Sequence, residues 1–173
     1  MRHIIVDGYN VIRADPRLQS FERTSLEHAR EVLVRTLGSS PRLANDEVMV
    51  VFDGRGGTRS HVHMHRMGRI MLVYSARGQS ADDVIVQQAR SLAKSGRVIV
   101  VSNDVEVREH CRAEGCEVSS SENLLGQMPG GLARSGTGST QDDEDLRTTL
   151  STDKRGNPRR APRRSRRPRD VRF

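Results

Sequence analysis

The chain has 173 residues, of which 34% are hydrophobic and 3% aromatic, with no tryptophan and a net charge of +7. That length suits one domain plus an extension, and the lean apolar content predicts that part of the chain joins no core. No apolar run nears the roughly 20 residues of a membrane span, and the first apolar stretch is too short for a secretory signal, so a cytoplasmic protein without a membrane partner is expected.

The charge is unevenly placed. Residues 154–173 hold ten basic residues and one acidic one, while the 153 residues before them hold 19 basic and 21 acidic. The high isoelectric point therefore belongs to the tail. Lys94 and Lys154 are the lysines among 29 basic residues. Arginine suits phosphate recognition because its guanidinium forks onto two oxygens; arginine-rich codon usage would give the same bias. Cys111 and Cys116 lack the spacing and partners of a zinc site and read as reduced packing residues.

In chain order, strands are predicted at His3–Val6, Glu47–Phe52, Ile70–Tyr74, Arg97–Val101 and Cys116–Val118. Most are unbroken β-branched runs, as expected where both faces of a parallel sheet are covered. Helices are predicted at Ser25–Leu37, Ala81–Lys94 and Val105–Glu114. The first has Thr24 and Glu27 as a capping box and Leu26, Ala29, Leu33 and Leu37 as its apolar stripe. Strands alternating with helices of this length give βαβ units, so the class is α/β with a mainly parallel sheet. After about Leu125 the pattern stops. A Gly/Ser-rich stretch, a short acidic run and the arginine-rich end follow, and none has the apolar content to offset its ordering entropy. The expected division is a folded domain over residues 1–126 and a disordered tail over 127–173.

Each predicted strand ends in something polar. Asp7 closes the first, Asp53 the second, and Ser102-Asn103-Asp104 the fourth, while Asp82 and Asp83 open the helix after the third. In a parallel sheet all carboxyl ends share one edge, where ligands bind at the point of strand-order reversal. Asp7, Asp53, Asp82 and Asp104 are therefore expected in one cleft. Crowded carboxylates either raise their own pKa values or bind cations, and oxygen ligands alone suit Mg²⁺ or Mn²⁺. Such an ion serves phosphodiester hydrolysis by activating water and stabilising transition-state charge. A lone aspartate after a strand is more often a helix cap. For Asp83 capping is the preferred reading, since Ser80-x-x-Asp83 is a capping pattern. Asn103-Asp104 has the same option.

The segments VDGYNVI, VVFDG, VYS followed by SADD, and VVSNDVEV, in that order, resemble the NYN domain, a branch of the PIN-like nuclease fold. The resemblance is strongest to its YacP-like group of bacterial ribosome-associated mRNA endonucleases and covers roughly residues 1–125. It implies a Rossmann-like sheet and a metal-dependent endoribonuclease cleft. Its acidic positions fall on Asp7, Asp53, Asp82 and Asp104, its amide on Asn10, and its S/T-x-D form on Ser102-Asn103-Asp104. On that basis Asp7 is expected as the central metal ligand, and Asn10 is expected to reach the attacking water or the scissile phosphate. Gly8 would permit a sharp turn, and Tyr9 would pack on the sheet in preference to stacking on a base.

The stretch GRGGTRSHVHMHRMGR, residues 54–69, reads as a basic loop beside the cleft. Arg55, Arg59, Arg66 and Arg69 would contact phosphates, which positions RNA without reading its sequence. His61, His63 and His65 would share a face if the segment were a strand, but a fourth zinc ligand is not evident. The tail could contact RNA by counterion release, or an acidic protein or the ribosome surface.

The function expected is a divalent-metal-dependent endoribonuclease acting on single-stranded or ribosome-bound mRNA. The alternative is an RNA- or ribosome-binding module without catalysis. Clustered acids weigh against it, because a pure binder of polyanions gains nothing from them. An aspartyl-nucleophile phosphohydrolase would place a second Asp where Tyr9 stands.

Overall fold

The structure is a computed structural model and describes residues 1–54 and 60–128. Arg55, Arg59 and the extension from residue 129 lie outside the described residues, and so do the expectations placed on them.

Six strands form one sheet: β1 (Arg2–Asp7), β2 (Asp46–Phe52), β3 (His63–Met67), β4 (Ile70–Tyr74), β5 (Arg97–Val101) and β6 (Glu117–Ser119). Their order is β3-β4-β2-β1-β5-β6. All pairings are parallel except β3 with β4. Helices α1 (Gly8–Ala14), α2 (Pro16–Thr24), α3 (Leu26–Ser39) and α6 (Ser121–Gly126) cover one face, and α4 (Ala81–Leu92) and α5 (Val105–Ala113) the other. Ile4, Val6, Val50 and Phe52 point into the first layer, and Ile5, Val51 and Val73 into the second. Both faces are covered, which is why these strands carry no polar alternation. The expected α/β, Rossmann-like class is what the chain adopts. Among the described residues no helix is long and apolar enough to cross a membrane.

The chain builds outward from β1 through β2 to β4, then crosses to β5 and β6 on the other side. Strand order therefore reverses between β1 and β5, and the crevice of a doubly wound sheet opens there.

Several local features depart from the sequence reading. Residues 8–24, to which the sequence reading assigned no element, form two short helices. Asp7 caps α1, and Asp15 both ends it and caps α2, whose first position is Pro16, where a missing N–H costs nothing. Gly8 is required by packing and not by a turn: a Cβ there would lie 2.2 Å from the Phe52 ring. Ser25, not Thr24, caps α3, its side chain accepting from the His28 N–H at 3.2 Å. Residues 63–67 are a strand and not a loop, paired antiparallel to β4 through the turn at Gly68, where φ is +60°. The core also runs two residues past the expected boundary, since Met128 is buried beside Leu124 and Leu125. Cys111 and Cys116 are free and buried under α4 and α5, and burial pushes the Cys111 thiol up to about 11. They pack, as expected.

Candidate functional site

Each of the four predicted aspartates reaches the carboxyl edge of the sheet by its own route. Asp7 ends β1 and is 4% exposed. One of its carboxylate oxygens accepts the Asn10 N–H at 3.2 Å, which caps α1. The other accepts the Asn10 side-chain amide and, at 3.0 Å, the Ser102 hydroxyl. Ser102 follows β5, is fully buried, and also accepts the Asp104 N–H at 3.1 Å. One hydroxyl thus ties the ends of β1 and β5 together across the point of strand-order reversal. Asp104 in turn caps α5, accepting from the N–H groups of Glu106 at 2.8 Å and Val107 at 3.2 Å. Asn103, between them, accepts the Ser121 N–H and donates to Glu122, each at 2.9 Å, which docks α6.

Asp53 follows β2. The buried Ser75 holds that segment to the end of β4: its hydroxyl accepts the Gly54 N–H at 2.9 Å and stands 3.4 Å from an Asp53 oxygen. A Cβ on Gly54 would lie 2.2 Å from the Ser75 carbonyl, so only glycine passes there. Asp82 lies in the first turn of α4, one residue before Asp83. Asp83 completes a capping box with Ser80, and the Ser80 hydrogen bonds hold its carboxyl below the usual range. The capping role expected of Asp83 is what the structure shows.

These routes meet in a cleft of about 440 Å³ lined by Asp7, Asp53, Asp82 and Asp104, with Asn10 beside Asp7. The Asp82 carboxyl is raised above its ordinary value, first by the protein mass around it and then by the charges of Asp7, Asp104, Asp83 and Asp53. Its side chain still reaches solvent, so the repulsion is partly screened. Among the described residues no three carboxylate, imidazole or thiolate groups already stand at ligating distance around one point. The donors are nonetheless oxygens alone, and an acid held above its ordinary pKa by its neighbours is relieved by a cation. That chemistry fits Mg²⁺ or Mn²⁺ and not a thiolate-seeking metal.

The basic residues are arranged differently from expectation. Arg69 is corrected: it lies at the opposite, amino end of β4, where its guanidinium donates to the carbonyls of Gly38, Leu43, Leu37 and Ser40 at 2.6–3.1 Å. Those carbonyls end α3 and begin the turn into β2, so Arg69 closes a helix terminus and does not reach the cleft. Arg66 is exposed on β3 opposite Met71 and does not line the cleft either. Among the described residues the cations that line it are Arg13 of α1 and Arg30 of α3. Neither stood out in the sequence. Arg30 sits one turn after Leu26 and next to Ala29 of the apolar stripe, a position at the flank of a buried helix face. Tyr9 packs as expected, its ring 5.3 Å from that of Phe52 in an edge-on arrangement. His63 and His65 do share one face of β3, while His61 lies before the strand.

The YacP-like NYN domain family matches residues 4–155, and the chain belongs to that family. It is 27% identical over 128 residues to the uncharacterized protein YacP of Bacillus subtilis strain 168, covering 72% of this chain and 74% of that one. The crystal structure of Rae1 (YacP) from Bacillus subtilis superimposes with a TM-score of 0.62 at 26% identity, over 73% of each chain. A point mutant of Rae1 gives 0.60 at 26% identity, over 72% of each chain. NYN domains are nuclease-like, so the family and the acidic cleft point to the same chemistry on RNA.

Proposed function

We propose that this protein is a divalent-metal-dependent endoribonuclease that hydrolyses phosphodiester bonds in single-stranded or ribosome-bound mRNA. The observation that carries the proposal is the convergence of Asp7, Asp53, Asp82 and Asp104 on one cleft, with Asp82 raised by the protein mass around it and then by the other charges. Together these carboxylates would hold Mg²⁺ or Mn²⁺, which supplies water activation and stabilisation of the charge that builds on the phosphoryl oxygens. Asp7 is the fixed member, locked by Asn10 and Ser102. Asp82 and Asp104, both exposed, complete the acidic lining. With Asn10 bound to Asp7, its amide oxygen remains as an acceptor for the attacking water. Arg13 and Arg30 offset part of the negative charge where the RNA backbone must enter.

The test is incubation of the full chain with a single-stranded RNA, with and without ribosomes, in Mg²⁺, Mn²⁺ or EDTA. The proposal expects internal cleavage that EDTA abolishes and Asp7→Asn abolishes. Binding of RNA with no cleavage in either metal, with or without ribosomes, would establish the non-catalytic module instead. The arginine-rich tail is assigned to RNA or the ribosome surface, so truncation after Met128 should flatten the salt dependence of binding, by about 0.7 of a unit of slope per lost phosphate contact.

A further inference from the structure

Aromatic side chains are scarce, with two tyrosines, three phenylalanines and no tryptophan in the chain. Three of those five, Tyr9, Phe52 and Tyr74, adjoin one another at the carboxyl edge of the sheet. The Phe52 and Tyr74 rings are stacked at 5.7 Å. The hairpin adds two imidazoles to this row. β3 pairs His63 with Tyr74 and His65 with Leu72, which places both histidines on the Tyr74 side of the sheet. The His65 and Tyr74 rings are within 4° of parallel with centroids 5.8 Å apart, and the His63 ring lies 5.5 Å from that of His65. His65 is exposed, and His63 and Tyr74 are half-buried, so the row offers π-faces at the surface and is not sealed into the core.

Arg30 joins this row to the cleft. Its guanidinium lies over the rings of Tyr9, Phe52 and Tyr74 at 5.2–5.6 Å and donates to the Tyr9 hydroxyl. Its Nε is buried without a hydrogen-bond partner. The same side chain lines the cleft that holds the four aspartates. A cation flanked by stacked rings, one step from an acidic cleft, has the form of a single-strand binding groove: charge for the backbone, π-faces for the bases. Metal ligation is a poorer use of the histidines, because among the described residues no third ligand joins them.

We propose that the β3–β4 flank of the cleft is a subsite for single-stranded RNA, in which Arg30 receives a backbone phosphate and His65 with Tyr74 receives an unpaired nucleobase. The inference rests on the nuclease reading for its substrate but is separable from it by experiment. Stacking tolerates any base, so the subsite adds affinity and fixes strand direction without selecting sequence.

The test uses the full chain in EDTA, where no cleavage occurs, and short oligouridylates carrying one 2-aminopurine at successive positions. Stacking on a ring quenches that base. Binding of the parent should quench it at one position far more than at the others. His65→Ala, at an exposed site, should remove that quench and weaken binding about tenfold, and His65→Phe should restore both. An abasic unit at the quenched position should weaken the parent by a similar factor and leave His65→Ala unchanged. Equal affinity and equal quenching in the parent and His65→Ala would overturn the subsite, even if the protein cleaves RNA in Mn²⁺. Position-specific quenching in a protein that cleaves nothing in Mg²⁺ or Mn²⁺ would keep the subsite and remove the nuclease. If His65→Ala leaves RNA binding intact but abolishes capture of a second protein chain, the flank is a protein-docking edge and the proposal fails.

Discussion

The two edges of this sheet treat charge in opposite ways. At the amino edge opposite charges stand together. Arg2 grips Asp46 with two hydrogen bonds at 2.7 and 2.5 Å, and Arg97 meets Glu117 with two at 2.5 and 2.8 Å. Each pair bridges neighbouring strands and sits where the register puts it directly opposite or close by. At the carboxyl edge like charges stand together, and what surrounds Asp7 and Asp104 is a set of neutral donors from Asn10, Ser102 and backbone N–H groups. Ion pairs satisfy a charge and end its influence. Neutral donors orient a carboxylate and leave its charge to act on something else. The amino edge spends its charges on the fold, and the carboxyl edge leaves its charges available.

The sharpest way to break this comparison is Asp7→Asn. It should lower RNA cleavage in Mn²⁺ by about 10³-fold or more, since several kcal/mol of transition-state stabilisation is at stake and each ~1.4 kcal/mol is tenfold. It should also cost about 1 kcal/mol of stability, because the new amide donor faces the donors of Asn10 and Ser102. Cleavage at the parent rate would remove the carboxyl edge from catalysis. Removing metal comes next. Saturating Mn²⁺ should raise the melting temperature of the parent by several degrees, as about 2.7 kcal/mol is gained at a hundredfold excess over Kd, and Asp7→Asn should lose most of that gain.

At the amino edge the loss falls on stability and not on cleavage. Arg69→Ala should destabilise by about 2–3 kcal/mol, since four carbonyls lose a charged donor, while cleavage measured well below the melting point stays at the parent level. A loss of RNA binding without a loss of stability would restore Arg69 to the RNA path. Arg2→Met should cost about 0.5–1 kcal/mol by denaturant titration, as a partly exposed pair does. Asp82→Asn is the smallest effect and the opposite one: a gain of at most about 0.5 kcal/mol without metal. Its pH dependence follows from the raised carboxyl. The folded parent holds that proton more tightly than the unfolded chain, so its relative stability is full below the unfolded pKa and is lost as pH rises through the folded one. The gain from Asp82→Asn should thus be present at neutral pH and vanish in acid. A gain that persists in acid would mean that the partly desolvated and repelled charge of Asp82 is not its cause.

Legibility in the sequence followed the same division. The central strands read to within a residue at each end, because β1, β2, β4 and β5 are buried on both faces and carry unbroken apolar runs. Once those strands were parallel, the gathering of Asp7, Asp53, Asp82 and Asp104 followed from topology. What did not read was whatever depends on a neighbour. β3 is an exposed edge strand whose histidines and arginine carry no apolar alternation, so it looked like a loop. α1 and α2 have only 7 and 9 residues and begin at Gly8 and Pro16, too short and too irregular a stretch to show a helical period. Gly8 and Pro16 are there for the Phe52 ring and for a helix start. Arg69 was placed in the cleft by charge alone, whereas its position in the register puts it at the other end of the sheet. The ring row of His63, His65 and Tyr74 depends on that same register and has no linear signature.

The hydrogen bond from Ser102 to Asp7 joins residues 95 apart in the chain. Closing so long a loop comes late in folding, because its entropy must be met before the contact returns anything. The first 74 residues carry β1, β2 and β4 with Asp7 and Asp53, but not Asp82, Ser102 or Asp104. On the proposed reading the acidic cleft is complete only once β5 and the start of α5 have joined the sheet. Any lesion that loosens β5, even one far from the carboxylates, should disarm the protein before it unfolds it.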